Sequence, residues 1–175
     1  ARDPFAPWEP ELFVADLSAS HVCLLNKYEV IPHHILIVTR AYEEQTRLLG
    51  LADFEALWLG LAAIDGLAFY NAGARAGASQ RHKHLQIVPL PLASGRDPVP
   101  IEGLLRGAGR LPFVHARAAC EQLRAASPAE AAARSLELYH AMLARVAPGE
   151  AEPAYNLLVT RRWMLLVPRR RQTFE

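Results

Sequence analysis

The 175-residue sequence predicts an α+β domain with a mostly antiparallel sheet and helices packed on it. Three observations predict it. Short apolar and β-branched runs recur without strict alternation with helical patterns, which argues against a doubly wound parallel sheet. Two longer stretches carry apolar residues at helical spacing. Two short strands near the end are joined by the turn Thr160-Arg161-Arg162, as in a hairpin.

The elements follow in order. Pro4, Pro7 and Pro10 mark an extended arm, and Leu12 to Leu17 alternates as a first strand. Val22 to Asn26 reads as a second strand. Ile35-Leu36-Ile37-Val38-Thr39 is a third, short and continuous, hence buried on both faces. Leu51 to Tyr70 reads as a helix with Asp53 as its cap and a stripe of Phe54, Leu57, Trp58, Leu61, Ile64 and Ala68. Asn71 to Gln80 is a loop of small residues. Leu85 to Leu92 is a strand stopped by Pro89 and Pro91, and 93–112 is a long loop with a helical piece near Ile101 to Leu105. Ser127-Pro128-Ala129-Glu130 is a capping box that starts a helix with Leu136, Tyr139, Met142, Leu143 and Val146 on its apolar face. Pro148-Gly149 stops it, and strands Tyr155 to Val159 and Trp163 to Val167 follow.

Composition limits the function classes. Apolar residues make up 51% of the chain, enough for a real core. The net charge is +1, from 19 basic and 18 acidic residues, which is no electrostatic footprint for nucleic acid. Anionic substrates would have to be held by local groups. No run approaches the roughly 20 apolar residues of a membrane span. The start, Ala1-Arg2-Asp3-Pro4, is charged and unlike a signal peptide. Cys23 and Cys120 belong to no CxxC pair, so both read as small core residues in a reducing, cytoplasmic compartment.

His82-Lys83-His84-Leu85-Gln86 carries the chemistry. An HxH pair arises by chance roughly 0.3 times in such a chain, so the setting matters more than the pattern. His82, His84 and Gln86 alternate into an apolar strand and project to one face, while Lys83, Leu85 and Ile87 take the other. Just before them, Gly77-Ala78-Ser79-Gln80 offers backbone and side-chain donors to an anion. Donors on non-bridging oxygens beside an in-line imidazole are what attack on phosphorus requires. A metal pair is the competing reading; it would need one or two more ligands, which His33, His34 or His115 could supply. An inert histidine pair is another.

Separated motifs in a consistent order then point further. From about Asp3-Pro4-Phe5 to the end, Asn26-Lys27-Tyr28, Pro32-His33-His34 through Thr39-Arg40, Phe69-Tyr70-Asn71, Gly77 to Gln86, Tyr155-Asn156-Leu157-Leu158 and Trp163-Met164 closely resemble the ATP adenylyltransferase (diadenosine tetraphosphate phosphorylase) family. That family stands with the histidine-triad hydrolases and the galactose-1-phosphate uridylyltransferases. The resemblance implies one HIT-like domain over 1–175, with 113–175 contributing the carboxyl-terminal helix and hairpin. It implies His84 as nucleophile, His82 as the orienting histidine and Gln86 as a phosphate contact where hydrolases carry a third histidine. It also implies contacts to phosphate or nucleotide from Lys27, His34, Asn71, Gly77, Ala78, Ser79, Gln80, Thr160 and Met164. Members usually extend further at both ends, and often carry proline where this chain has Arg81. The implied reaction is phosphorolysis of diadenosine tetraphosphate (Ap4A) to ATP and ADP, with nucleotides and phosphate as the partners. No resident metal is expected; magnesium would accompany the polyphosphate. An oligomer is compatible with all of this. The alternatives are a HIT-type hydrolase or another nucleotidylyltransferase, and a non-catalytic nucleotide sensor.

A glutamine in the third position suits transfer to phosphate. A terminal phosphate leaving group needs little protonation, and inorganic phosphate is already an anion, whereas water would need a base. A neutral imidazole also needs an acceptor for its second nitrogen, commonly a backbone carbonyl.

Overall fold

The computed structural model describes residues 3–29, 31–94, 97–106, 111, 116–118, 125 and 127–171. His115 and Cys120 lie outside the described residues. The strands are β1 (Phe13–Asp16), β2 (His21–Leu25), β3 (Ile35–Thr39), β4 (Gly66–Asn71), β5 (His84–Pro89), β6 (Ala116–Ala118), β7 (Tyr155–Val159) and β8 (Met164–Pro168). The helices are α1 (Leu51–Ala63), α2 (Glu102–Arg106) and α3 (Pro128–Val146). One sheet runs in the order β1-β2-β3-β5-β4-β7-β8-β6, and each neighbouring pair is antiparallel. The α+β architecture expected from the sequence is therefore present.

α1 and α3 lie together on one face of this sheet. Ile35 and Ile37 of β3, Leu85 and Ile87 of β5, Tyr155 and Leu157 of β7 and Met164 of β8 point into that main core. Trp58 Nε1–H of α1 donates to Ser135 Oγ of α3 at 2.8 Å, so the two helices are joined by a satisfied polar contact inside the apolar layer. Cys23 is a free thiol in this core, and burial pushes its pKa up to about 11. Two smaller clusters cover the other face. Val22, Leu24, Leu36 and Val38 gather around Phe5, and Leu67, Val88 and Leu165 gather around Trp163 and Val99.

α3 starts as expected: Ser127 Oγ accepts the Glu130 N–H at 3.2 Å, with Pro128 in the first turn. The expected helix over Leu51 to Tyr70 needs correction. It ends at Ala63, Ile64 turns extended, and Gly66 to Asn71 is β4. Leu67-Ala68-Phe69-Tyr70 suits either element by apolarity alone, and burial between β5 and β7 decides. Ala68 thus belongs to a strand. Gly66 makes the turn into β4 possible: a Cβ there would lie 2.6 Å from Ile87 Cγ2 and 2.9 Å from the Val88 carbonyl. Asp53 is also not the cap. Gly50 takes that position, and Asp53, three residues on, accepts the Gly50 N–H at 2.7 Å. β5 ends at Pro89, and β8 begins at Met164, one residue later than expected.

Asp53 has a larger task. Its Oδ2 accepts from Lys83 Nζ at 2.7 Å and its Oδ1 pairs with His21 Nε2 at 3.1 Å, all three side chains being buried. Lys83 follows His82 directly and points to the helix face, so this ion pair pins the approach to β5. Burial raises the Asp53 pKa, but the His21 hydrogen bond and the Lys83 charge outweigh it and hold the group below its ordinary value. A depressed carboxyl contributes stability above its unfolded pKa, about 4, that is lost as pH falls through the folded value. Asp53→Ala should therefore destabilise the protein by about 3–5 kcal/mol in urea melts at pH 7, because it strands a buried Lys83. Its stability should also fall less than the wild type's on acidification below about pH 4. A loss under about 1 kcal/mol would show that the pair is not holding this edge.

Candidate active site

Alternation along β5 turns His84 and Gln86 away from the helices, toward the open face. His84 is buried to 4% exposure and lines a cleft of about 330 Å³. Its Nδ1 lies 2.8 Å from the carbonyl oxygen of His82. A carbonyl only accepts, so Nδ1 carries the proton and Nε2 keeps its lone pair toward the cleft. This is the acceptor that a nucleophilic imidazole requires. Burial lowers the His84 pKa, the His82 carbonyl works against that, and the His82 and His34 side chains add smaller downward pushes. The ring is thus held in its neutral, nucleophilic form at pH 7.

His82 is locked from both sides. Its Nε2 lies 2.7 Å from the Thr39 carbonyl and 3.1 Å from Thr39 Oγ1, and its Nδ1 lies 2.8 Å from Asp3 Oδ2. Asp3 also accepts the Phe5 N–H at 2.9 Å, and the Phe5 ring sits 5.8 Å from His82 and 5.3 Å from His84. The amino-terminal arm is therefore a wall of the site. Asp3 is 79 residues from His82, and no local pattern around the histidines signals it.

The other expected residues divide. Gln86, Lys27, Asn71, Gly77, Ser79 and Gln80 line the same cleft as His84. Lys27 Nζ is held by both oxygens of Glu9, at 2.7 and 3.0 Å, and that hydrogen bond raises its pKa. Asn71 Oδ1 accepts from Asn156 Nδ2 at 2.8 Å, which leaves the Asn71 amide nitrogen as the donor to the cleft. Asn156 Nδ2 also donates to the Ala76 carbonyl at 2.7 Å, tying the cradle to Asn71. Asn156 stands inside a motif of the sequence resemblance, but only the β4–β7 register brings it here.

His34 does not line the cleft; it is buried, with Nδ1 3.1 Å from the Asn26 side-chain amide nitrogen and its ring 5.8 Å from Phe69. Burial lowers its pKa, with the Gln86 side chain pulling the other way.

Some expectations about donors and contacts need correction. The Gly77 and Ala78 N–H groups donate to Ala74 O at 2.9 Å and Gly73 O at 3.2 Å, so the turn itself consumes them. Gly77, at φ +95°, is what closes that turn. Ser79 and Gln80 line the cleft. Thr160 and Met164 are not brought to the cleft. Thr160 Oγ1 accepts the Arg162 and Trp163 N–H groups, each at 3.1 Å, and so caps the β7–β8 turn, while Met164 is fully buried in the main core. Arg81 donates to Glu44 at 2.7 Å, outside the cleft. Among the described residues no group of three His, Cys, Asp or Glu side chains is arranged to hold a metal ion, and no helix is long and apolar enough to cross a membrane.

The cleft pairs an apolar wall of Phe5, Leu12, Leu24, Leu36 and Phe69 with a polar floor around His84. The wall suits a planar ring and the floor an anion.

Comparison with known proteins identifies the family. The model of the Ap4A phosphorylase N-terminal domain matches residues 1–107, and that of the ATP adenylyltransferase C-terminal domain matches 109–175. Diadenosine 5',5'''-P1,P4-tetraphosphate phosphorylase 2 of Saccharomyces cerevisiae is 30% identical over 202 residues, covering 97% of this chain and 62% of its own length. The crystal structure of yeast Ap4A phosphorylase Apa2 with AMP superposes with a TM-score of 0.80 at 28% identity, covering 98% of this chain and 65% of that one. The complex of the same enzyme with Ap4A gives 0.70 at 25% identity, over 97% and 64%. The chain thus spans somewhat under two thirds of these relatives.

The His84 ring should stay neutral to below pH 6.5 in a nitrogen-15 NMR titration, with the proton on Nδ1. A His84 that titrates at or above 6.5, or that carries its neutral-form proton on Nε2, would remove the nucleophile assignment.

Proposed function

Since the chain belongs to the Ap4A phosphorylase family, we propose that it carries out reversible phosphorolysis of Ap4A, forming ATP and ADP, through an adenylyl group carried on His84. The single observation behind this is the His84 Nδ1–H bond to the His82 carbonyl, which leaves Nε2 free beside an anion cradle.

His84 Nε2 attacks the phosphorus next to one adenosine. The Nε2–P bond forms, the P–O bond to the departing chain breaks, and ATP leaves as an anion. The imidazole becomes cationic while it carries AMP, and the His82 carbonyl on Nδ1–H offsets that charge at the moment it develops. Ser79, Gln80, Asn71 and Gln86 hold the non-bridging oxygens, and Lys27 exchanges Glu9 for phosphate. An oxygen of inorganic phosphate then attacks the same phosphorus, the Nε2–P bond breaks, and ADP is released with His84 neutral again. Neither leaving group needs a proton, so no general acid is required, which agrees with glutamine at position 86. Magnesium would enter with the polyphosphate, and no step runs through it.

Incubation with Ap4A should give ATP and ADP in proportion to added phosphate. ATP plus AMP formed in water alone, indifferent to phosphate, would make the chain a hydrolase; tight binding without turnover would make it a sensor. His84→Ala should abolish the protein-bound AMP seen by intact-mass measurement while leaving nucleotide affinity within about tenfold, because the nucleophile acts chiefly in the transition state. AMP still carried covalently by that variant would refute the assignment.

A further inference from the structure

The strand that carries the nucleophile changes partner at the nucleophile. β4 and β5 pair from Gly66↔Pro89 to Phe69↔Gln86, and the same register would set Asn71 against His84, but the ladder stops short of that pair. β4 continues instead along β7, with Asn71 opposite Asn156. On the other side of His84, residues 81–83 are paired by the segment 43–45. Lys83 N–H donates to Glu43 O at 2.8 Å, Gln45 N–H donates to Arg81 O at 2.7 Å, and Glu44 bridges His82. Between the two partners lies a gap with three backbone groups facing it: the His84 N–H, the His84 carbonyl and the Asn71 carbonyl.

One side chain fills it. Gln45 Oε1 accepts the His84 N–H at 2.8 Å, and Gln45 Nε2 donates to the His84 carbonyl at 3.1 Å and to the Asn71 carbonyl at 3.0 Å. Its carboxamide has one acceptor and two donor hydrogens, and all match. Gln45 is 2% exposed, and its own backbone is anchored by the Arg81 bond and by the Tyr70 hydroxyl, which donates to its carbonyl at 2.6 Å. Its carboxamide bonds to main-chain groups, and it does not line the cleft.

We propose that Gln45 is a positioning residue for the adenylyl transfer: its carboxamide replaces a peptide unit at the break in the β4–β5 ladder and sets the His84 main chain against Asn71. The role rests on the function proposed above. Two bonds hold the His84 backbone and a third ties it to the Asn71 carbonyl, so Nε2 keeps one line of approach to a phosphate that Asn71 helps to hold. A donor-free residue of the same length would leave the fold buttressed by the helices but let that line wander, and small misplacements of reacting atoms are expensive in rate. Glutamate at 45 keeps the acceptor for His84 N–H and loses the two donations.

The test compares wild type, Gln45→Met and Gln45→Glu. Single-turnover formation of protein-bound AMP from Ap4A should slow about 10- to 100-fold in both variants, while AMP affinity stays within about threefold. Hydrogen exchange of the His84 amide should quicken in Gln45→Met, with less change in Gln45→Glu. Adenylylation at the wild-type rate in either folded variant would overturn the role alone. Equal losses of rate and of AMP affinity would also overturn it, since they would mark a general disruption of the cleft. A wild type that never carries AMP would overturn the function and this role with it. If Gln45→Met fails to fold, Gln45→Glu decides by the same two readouts.

Discussion

The site depends on one hydrogen bond within an extended segment, from His84 Nδ1–H back to the carbonyl of His82 two residues earlier. It selects the tautomer, aims Nε2 at the cleft and supplies an acceptor for the charge the ring gains when it forms a bond. It exists only while residue 82 holds its carbonyl toward the side chain two residues on. That explains the attention the protein gives to His82. Its ring is held by Thr39 from β3 and by Asp3 from the amino-terminal arm, although His82 itself has no lone pair directed at a substrate. The first histidine matters most for its backbone, and its ring is the handle by which that backbone is held.

The same strand is loaded on its other face. Lys83 reaches Asp53 at the start of α1, and Asp53 reaches His21 of β2. A slip of one residue in β5 would drive His84 into the helix-covered core and turn Lys83 into the cleft. Because strand side chains alternate with a period of two, that slip would bury the His84 imidazole without a partner and strip Asp53 of Lys83. The ion pair and the imidazole row therefore specify each other's register from opposite faces. This is a reason to place a charged residue between two histidines that has nothing to do with binding phosphate.

Much of this was legible in the sequence, and the omissions share a cause. β3 was readable because a run of β-branched residues can be buried only as a strand, and α3 because its cap, its proline and its stripe agree. The break between α1 and β4 was not, since residues 51–70 are apolar enough to satisfy either period. Only the close approach of Gly66 to β5 shows why the chain turns there. In the site, the alternation of His82, His84 and Gln86 carried its own geometry. Asp3, Gln45 and Asn156 are polar residues of types common on any surface, and they meet the site across 79, 39 and 85 residues of chain. Asp3 and Asn156 stand inside motifs of the resemblance, but no local pattern shows that any of the three meets the histidines. Thr160 and Met164, whose contact with a nucleotide the resemblance implied, are placed by the fold in a turn cap and in the main core.

With a net charge of +1, the chain has no strong overall positive field, and the proposed polyanionic substrate would have to be held by groups within the cleft. Lys27, at the mouth, is already paired with Glu9, so phosphate binding there exchanges one anion for another and yields only the difference between two exposed ion pairs. The attraction must come from neutral donors of fixed direction, namely Ser79, Gln80, Asn71 and Gln86. Such donors gain strength as water leaves, which the apolar wall of Phe5, Leu12 and Phe69 promotes once an aromatic base lies against it. Base and phosphate would then bind cooperatively through the shared exclusion of water, without a strong positive field that would hold every anion in solution. On the proposed function, discrimination would fall to the wall and transfer to the floor, with His84 where the two meet.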